Sequence, residues 1–182
     1  MDQLVILNGQ EQDQLLRAIE AAIHVRRRHQ LFLWAQGQFF ALLPHEILVC
    51  LRLDDGNRAA HVESLHCLHL DQAREGHLCH PQDGLAVRMA RSCEENGQLP
   101  ALLAAGRHRC ARIFEDFRAD LEKAGLRNAI VHGHRIAGRG DATFFVLFNV
   151  LDDVMPVHGH LLRLLLPHLH LAFHHVLADD EE

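Results

Sequence analysis

The stretch from about Pro156 to Leu177 constrains this chain most. It gathers Val157, Leu161, Leu162, Leu164, Leu165, Leu166, Leu169, Leu171, Phe173 and Val176, more apolar positions than the single stripe of a surface helix holds. A membrane-spanning helix wants about 20 mostly apolar residues. Here Arg163, Pro167 and six histidines interrupt them, and such side chains are costly in hydrocarbon. The remaining solution is a helix with one face on the chain's own core and another on a partner, most simply a second copy. Leu161, Leu165, Leu169 and Phe173 recur every four residues and form the stripe expected at that dimer seam.

Upstream, apolar residues recur at helical spacing from about Glu11 to Leu43: Leu15, Leu16, Ile19, Ala22 and Ile23, then Leu31, Phe32, Ala35, Phe39 and Leu42. Pro44 stops the pattern, which reads as one long helix or two helices broken near Arg26-Arg27-Arg28. Ile47 to Leu53 is an almost unbroken apolar run, and beyond Asp54-Asp55-Gly56-Asn57 the chain alternates at Ala60, Val62 and Leu65. That is a hairpin signal. Ala129–Ile136 and Thr143–Val150, around Gly138-Arg139-Gly140-Asp141, make a second. Asp83 is placed to cap a helix through about Glu95, and Phe114, Phe117, Leu121 and Ala124 mark another that stops at Gly125. Pro100 to Gly106 suggests a further short turn of helix. Two hairpins enclosing helices, with long helices at both ends, suit a single domain over residues 1–182: one central antiparallel or mixed sheet covered by helices.

Length and composition narrow the function. At 182 residues, 48% hydrophobic and 23% charged, the chain matches an ordinary globular domain. A net charge of -6, with acids gathered at Asp179-Asp180-Glu181-Glu182, leaves no basic footprint for a phosphate backbone. The start, Met1-Asp2-Gln3, lacks the charged and apolar regions of a signal peptide, so a cytoplasmic location is expected, with no membrane partner. Cys50, Cys67, Cys79, Cys93 and Cys110 are odd in number and scattered, which suits reduced thiols. No G-x-S-x-G elbow, P-loop or H-E-x-x-H motif occurs. The expectation is a non-enzymatic domain without a cofactor.

Seventeen histidines are the compositional oddity, since imidazole both titrates near neutrality and binds metals. His66, Cys67, His69, His77, Cys79 and His80 fall within fifteen residues. They form the alternative reading, a zinc site, although their spacing matches no standard zinc pattern. In His132-Gly133-His134, residues two apart share one face of a strand, so both rings line a cavity or both meet solvent. His158-Gly159-His160 repeats the triplet. His170 and His174 share a helical face, where protonation below about pH 6.5 would place like charges together at a seam. Cys50, His132, His134 and Phe145 are the candidate ligand-binding residues, on strands expected to face a helical layer; a register slip of one residue reverses that facing.

Two stretches resemble the N-terminal, autoinducer-binding domain of LuxR-type transcriptional regulators. Ala124-Gly125-Leu126-Arg127-Asn128-Ala129-Ile130-Val131-His132-Gly133-His134, with Gly138-Arg139-Gly140 and Phe144-Phe145-Val146-Leu147-Phe148, is similar to the family's helix, strand, glycine turn and strand. Leu164-Leu165-Leu166-Pro167-His168-Leu169-His170-Leu171-Ala172 resembles its closing helix. Arg26-Arg27-Arg28-His29-Gln30-Leu31-Phe32-Leu33-Trp34, with Leu42-Leu43-Pro44-His45-Glu46-Ile47-Leu48, looks like the EpsA-type regulators associated with exosortase systems and exopolysaccharide production. The resemblance implies a GAF/PAS-like α/β/α sandwich, a homodimer, a small-molecule signal, and contact with DNA only through a helix-turn-helix domain expected after residue 182. Well-known members hold an acyl-homoserine lactone with a Trp, a Tyr and an Asp after the first hairpin. This chain has no Tyr, its Trp34 lies in the N-terminal helical region, and Asp71 is the acid in that segment.

Overall fold

The computed structural model describes residues 4–67, 69–97, 99–104, 115–135, 138, 140–151 and 153–181. The chain forms two compact units. One comprises Met1–Pro44 with Met155–Glu182, and the other His45–Val154.

The first unit is helical. Helix α1 (Gly9–Ala22) opens on a reciprocal cap, in which Glu11 N donates to Asn8 Oδ1 at 2.9 Å and Asn8 N to Glu11 Oε2 at 2.8 Å. The helical pattern breaks at the triple arginine. There Gln30 Oε1 accepts from the backbone N–H groups of Arg26 (2.8 Å) and Arg27 (3.1 Å), starting helix α2 (Arg28–Trp34). α2 runs through a π turn (Ala35–Phe39) into the short α3 (Phe40–Leu42), which ends before Pro44. Trp34 joins the pieces: its Nε1 donates to Ala18 O at 2.9 Å, and its ring stacks on Phe39 at 5.1 Å. The closing helix, α7 (Pro156–Asp180), begins with Pro at its first position, where the missing N–H costs nothing. It packs beside α1 and α2, and Arg26 Nη1 lies 3.0 Å from His175 Nδ1. Among the described residues α7 is the helix long and apolar enough to cross a bilayer. Ten of its residues are buried within the chain, the character of a core helix.

The second unit is built on a five-stranded antiparallel sheet: β1 (Ile47–Leu53), β2 (Ala59–His66), β3 (Ala101–Ala104), β4 (Asn128–Arg135) and β5 (Ala142–Phe148), in spatial order β2-β1-β5-β4-β3. Both expected hairpins are present. In the first turn Asp54 Oδ1 accepts from the N–H groups of Gly56 and Arg58, each at 2.9 Å, and these bonds hold its carboxyl below the usual range. Helices α4 (Gln72–Cys79), α5 (Leu85–Asn96) and α6 (Glu115–Lys123) complete the unit. α5 stops at Gly97, whose φ of 61° suits a left-handed helix terminus. Its N-cap is Gly84 rather than the expected Asp83, whose carboxylate instead meets His80 Nδ1 at 2.7 Å.

Residues 101–104 correct a second expectation. They form an edge strand paired with β4, Ala101 opposite Val131 and Ala104 opposite Asn128, so sheet hydrogen bonds override the local helical propensity of an Ala/Leu run. The core of this unit lies on one face of the sheet. Ile47, Val49, Leu51, Val131, Phe144, Val146 and Phe148 meet Leu85, Met89 and Cys93 of α5 and Leu121 of α6.

Candidate functional site

Strand alternation sends the intervening residues to the opposite face of the sheet. Register aligns them in rows. Leu65, Leu48, Leu147 and Ile130 make an apolar row. Glu63, Cys50, Phe145 and His132 make the next, and His61, Arg52, Thr143 and His134 the one after. All four candidate ligand residues therefore share one face, with Cys50, Phe145 and His132 in a single cross-strand row. They lie on the face away from α5, not on the one that helix covers.

This patch is polar and deep. Glu63 is 6% exposed, His132 7% and Thr143 5%, while Cys50 and Phe145 are fully buried. His61 Nε2 stands 3.5 Å from Glu63 Oε2. Burial, and secondarily the Glu63 charge, push the Cys50 thiol well above its ordinary pKa, so it stays a neutral thiol rather than a nucleophile. A face carrying three imidazoles, a guanidinium, a carboxylate and a hydroxyl beside Phe145 can recognise a small polar molecule by hydrogen bonding. Glu63 and Arg52 were not legible as site residues: in sequence they are alternation positions, and only pairing with β1 and β5 brings them to Cys50.

The first His-Gly-His triplet has a packing cause. A Cβ on Gly133 would lie 2.3 Å from Thr143 O and 2.4 Å from Phe144 Cδ1. The Phe144 ring occupies that space on the core face, and both histidines project to the other. The second triplet serves a helix terminus: Met155 N donates to His158 Nδ1 at 3.0 Å, and Gly159 is buried in α7.

The zinc alternative finds no support in the geometry. His66 ends β2, while His77 and Cys79 belong to α4. Together with Cys67, His69 and His80 they form no metal-holding group of three among the described residues. Burial, the Glu75 charge adding to it, pushes the Cys79 thiol up to about 12. Cys110 lies outside the described residues.

The dimer stripe also needs correction. Leu161, Leu165, Leu169 and Phe173 are at most 2% exposed in the single chain, so no partner can reach them. Four-residue spacing identified a stripe, but α7 has two and the chain itself buries this one. The outer face instead presents Leu164 and Leu171, exposed beside Arg163, Pro167 and His174. The His170 and His174 rings stack at 6.3 Å.

The residues nearest to the lactone-holding set of LuxR-type domains are committed elsewhere. Trp34 is the buried clamp on Ala18. Asp71, exposed, caps α4 by accepting from Arg74 N at 2.7 Å.

A groove in the helical unit had no place in the sequence expectations. It is an open groove of about 550 Å³ between α1 and the π turn. Arg17 and Glu20 stand on one wall, and Gly37 and Gln38 on the other.

No family model and no curated protein matches this sequence. Among solved structures, the chain is similar to the N-acylhomoserine lactone-dependent LuxR-family transcription factor CepR2 from Burkholderia cenocepacia, with 13% identity and a TM-score of 0.58 over 96% of this chain and 100% of that one. It is also similar to the phycoerythrobilin-bound GAF domain of a cyanobacterial phytochrome, with 12% identity and a TM-score of 0.53 over 98% of this chain and 100% of that one. The chain thus has a GAF-like fold, of the kind that LuxR-type sensor domains also adopt.

Proposed function

We propose that this chain is the signal-sensing and dimerisation domain of a LuxR-type transcriptional regulator, acting in the cytoplasm and not as an enzyme. It meets DNA only through a helix-turn-helix domain that follows residue 182, and exopolysaccharide genes are among its targets. The observation that carries this reading is the likeness to a LuxR-type chain over 96% of this one, in a sheet whose buried face carries the polar side chains of Glu63, His132 and Thr143. The signal is a small polar molecule other than an acyl-homoserine lactone, because Trp34 and Asp71 are committed to packing and capping. Partnering uses the outer face of α7.

Native mass spectrometry of the chain purified from its own host tests this directly. The expected result is a dimer of twice the 20.6 kDa chain mass carrying a small organic molecule that His132→Phe or Glu63→Gln releases. A ligand-free monomer, or a parent gene with no helix-turn-helix downstream of Glu182, would overturn the reading.

A further inference from the structure

We infer that the groove between α1 and the π turn is a second binding site, specific for a small zwitterion of the α-amino acid class. Gln14, Arg17, Ala21 and His24 recur along α1 and its exit at spacings of three and four, so they share one face. Glu20 stands beside them, and Gln38 approaches from the opposite wall. Arg17 and Glu20 are one helical turn apart, the arrangement in which a cation and an anion ordinarily pair. Neither makes an ion pair or a side-chain hydrogen bond among the described residues. Both side chains are exposed and line the groove.

The opposite wall is shaped to leave room. A π turn inserts an extra residue into a helix and is a frequent mark of functional sites. Here it carries Gly37, where an added Cβ would meet nothing within 4 Å. Packing does not demand a glycine there, and its helical backbone does not require one. A small residue at this position leaves the groove open, and a bulky one would fill it. The volume of about 550 Å³ falls within the range of small-molecule sites. A guanidinium for a carboxylate and a carboxylate for an ammonium, on sites roughly 5–6 Å apart at Cβ, match the two charged ends of one amino acid. The amides of Gln14 and Gln38 are left for its side chain. This site is separate from the sheet face, and its failure would leave the regulator reading standing.

The test is a 15N–1H NMR titration of the whole chain with each free L-amino acid to about 10 mM, a range that captures weak ligands. Propionate and propylamine serve as half-ligands. At least one amino acid is expected to shift the Gly37 and Ala21 amides saturably, with each half-ligand at least about tenfold weaker. Arg17→Ala and Glu20→Gln should each weaken binding about tenfold, and Gly37→Phe should abolish it while Gly37→Ala preserves it. Should Gly37→Phe misfold, the two surface variants decide the matter. The inference fails if no amino acid moves those amides, if the shifts persist in Arg17→Ala and Glu20→Gln, or if propionate alone binds as well.

Discussion

Gly133 shows how a single residue ties the candidate site to the core behind it. Its missing side chain admits the Phe144 ring on one face, while its neighbours His132 and His134 stand on the other. Gly133→Ala should lower stability by about 1–3 kcal/mol, the usual cost of overpacking. Urea denaturation checks this. If the alanine variant is as stable as the parent, the triplet has no packing cause. Arg135 works similarly in joining elements. Its guanidinium spans Glu94 of α5 at 2.7 and 3.1 Å, Asn57 and Asp54 of the first hairpin turn, and Gly140 of the second. Asn128 and Asn149 stitch the far ends of β4 and β5. Asn128 bonds Val150 in both directions, and Asn149, at a φ of 52°, receives from Arg127 N and donates to Glu46. None of these asparagines stood out in the sequence, where a lone Asn reads as a turn former.

At the scale of elements, α7 carries the sharpest contrast. Leu165 is wholly buried, whereas Leu171 is 48% exposed. Leu165→Glu should unfold the chain or cost several kcal/mol, because it buries an unpaired carboxylate. Leu171→Glu should leave the circular dichroism spectrum and melting temperature almost unchanged. If the outer face is the seam, the same variant should turn the dimer into a monomer by light scattering; an intact dimer would place the seam elsewhere. The hairpins and α5 were legible because apolar alternation and helical periodicity survive in each segment. β3 was not, since Pro100 to Gly106 carries a helical composition and only the free edge of β4 makes it a strand. α4 was not either: of its eight residues only Leu78 is buried, too little for a periodic signal.

For the whole molecule, buried thiols set a pH dependence. Burial pushes Cys79 and Cys93 each up to about 12 and raises Cys50 well above its ordinary value. In the unfolded chain these thiols ionise near about 8.5. Above that pH the unfolded state has lost protons that the folded state keeps, so stability declines as pH rises. Their contribution is complete below about pH 8.5 and should fall between there and about pH 12, by up to roughly 1.4 kcal/mol per unit for each thiol. Denaturation midpoints measured from pH 7 to 10.5 should be flat at first and then fall. Cys93→Ala should make the decline shallower, and an unchanged slope in that variant would remove the thiol as its cause.

The sequence by itself determined the two hairpins, helix α5 and the apolar excess of the closing helix. Each of these is a local periodicity or a short run of turn chemistry, written in neighbouring residues. Only the tertiary structure decided which stripe of α7 the chain keeps for itself and that the cysteines and histidines of residues 66–80 do not converge. It also decided that Glu63 and Arg52 join Cys50 and His132 on one buried face, and that a groove opens beside the π turn. The physical reason is common to all four. Each depends on side chains brought together from strands or helices far apart in the chain, and the spacing of residues along one segment carries no record of what another segment will place beside it.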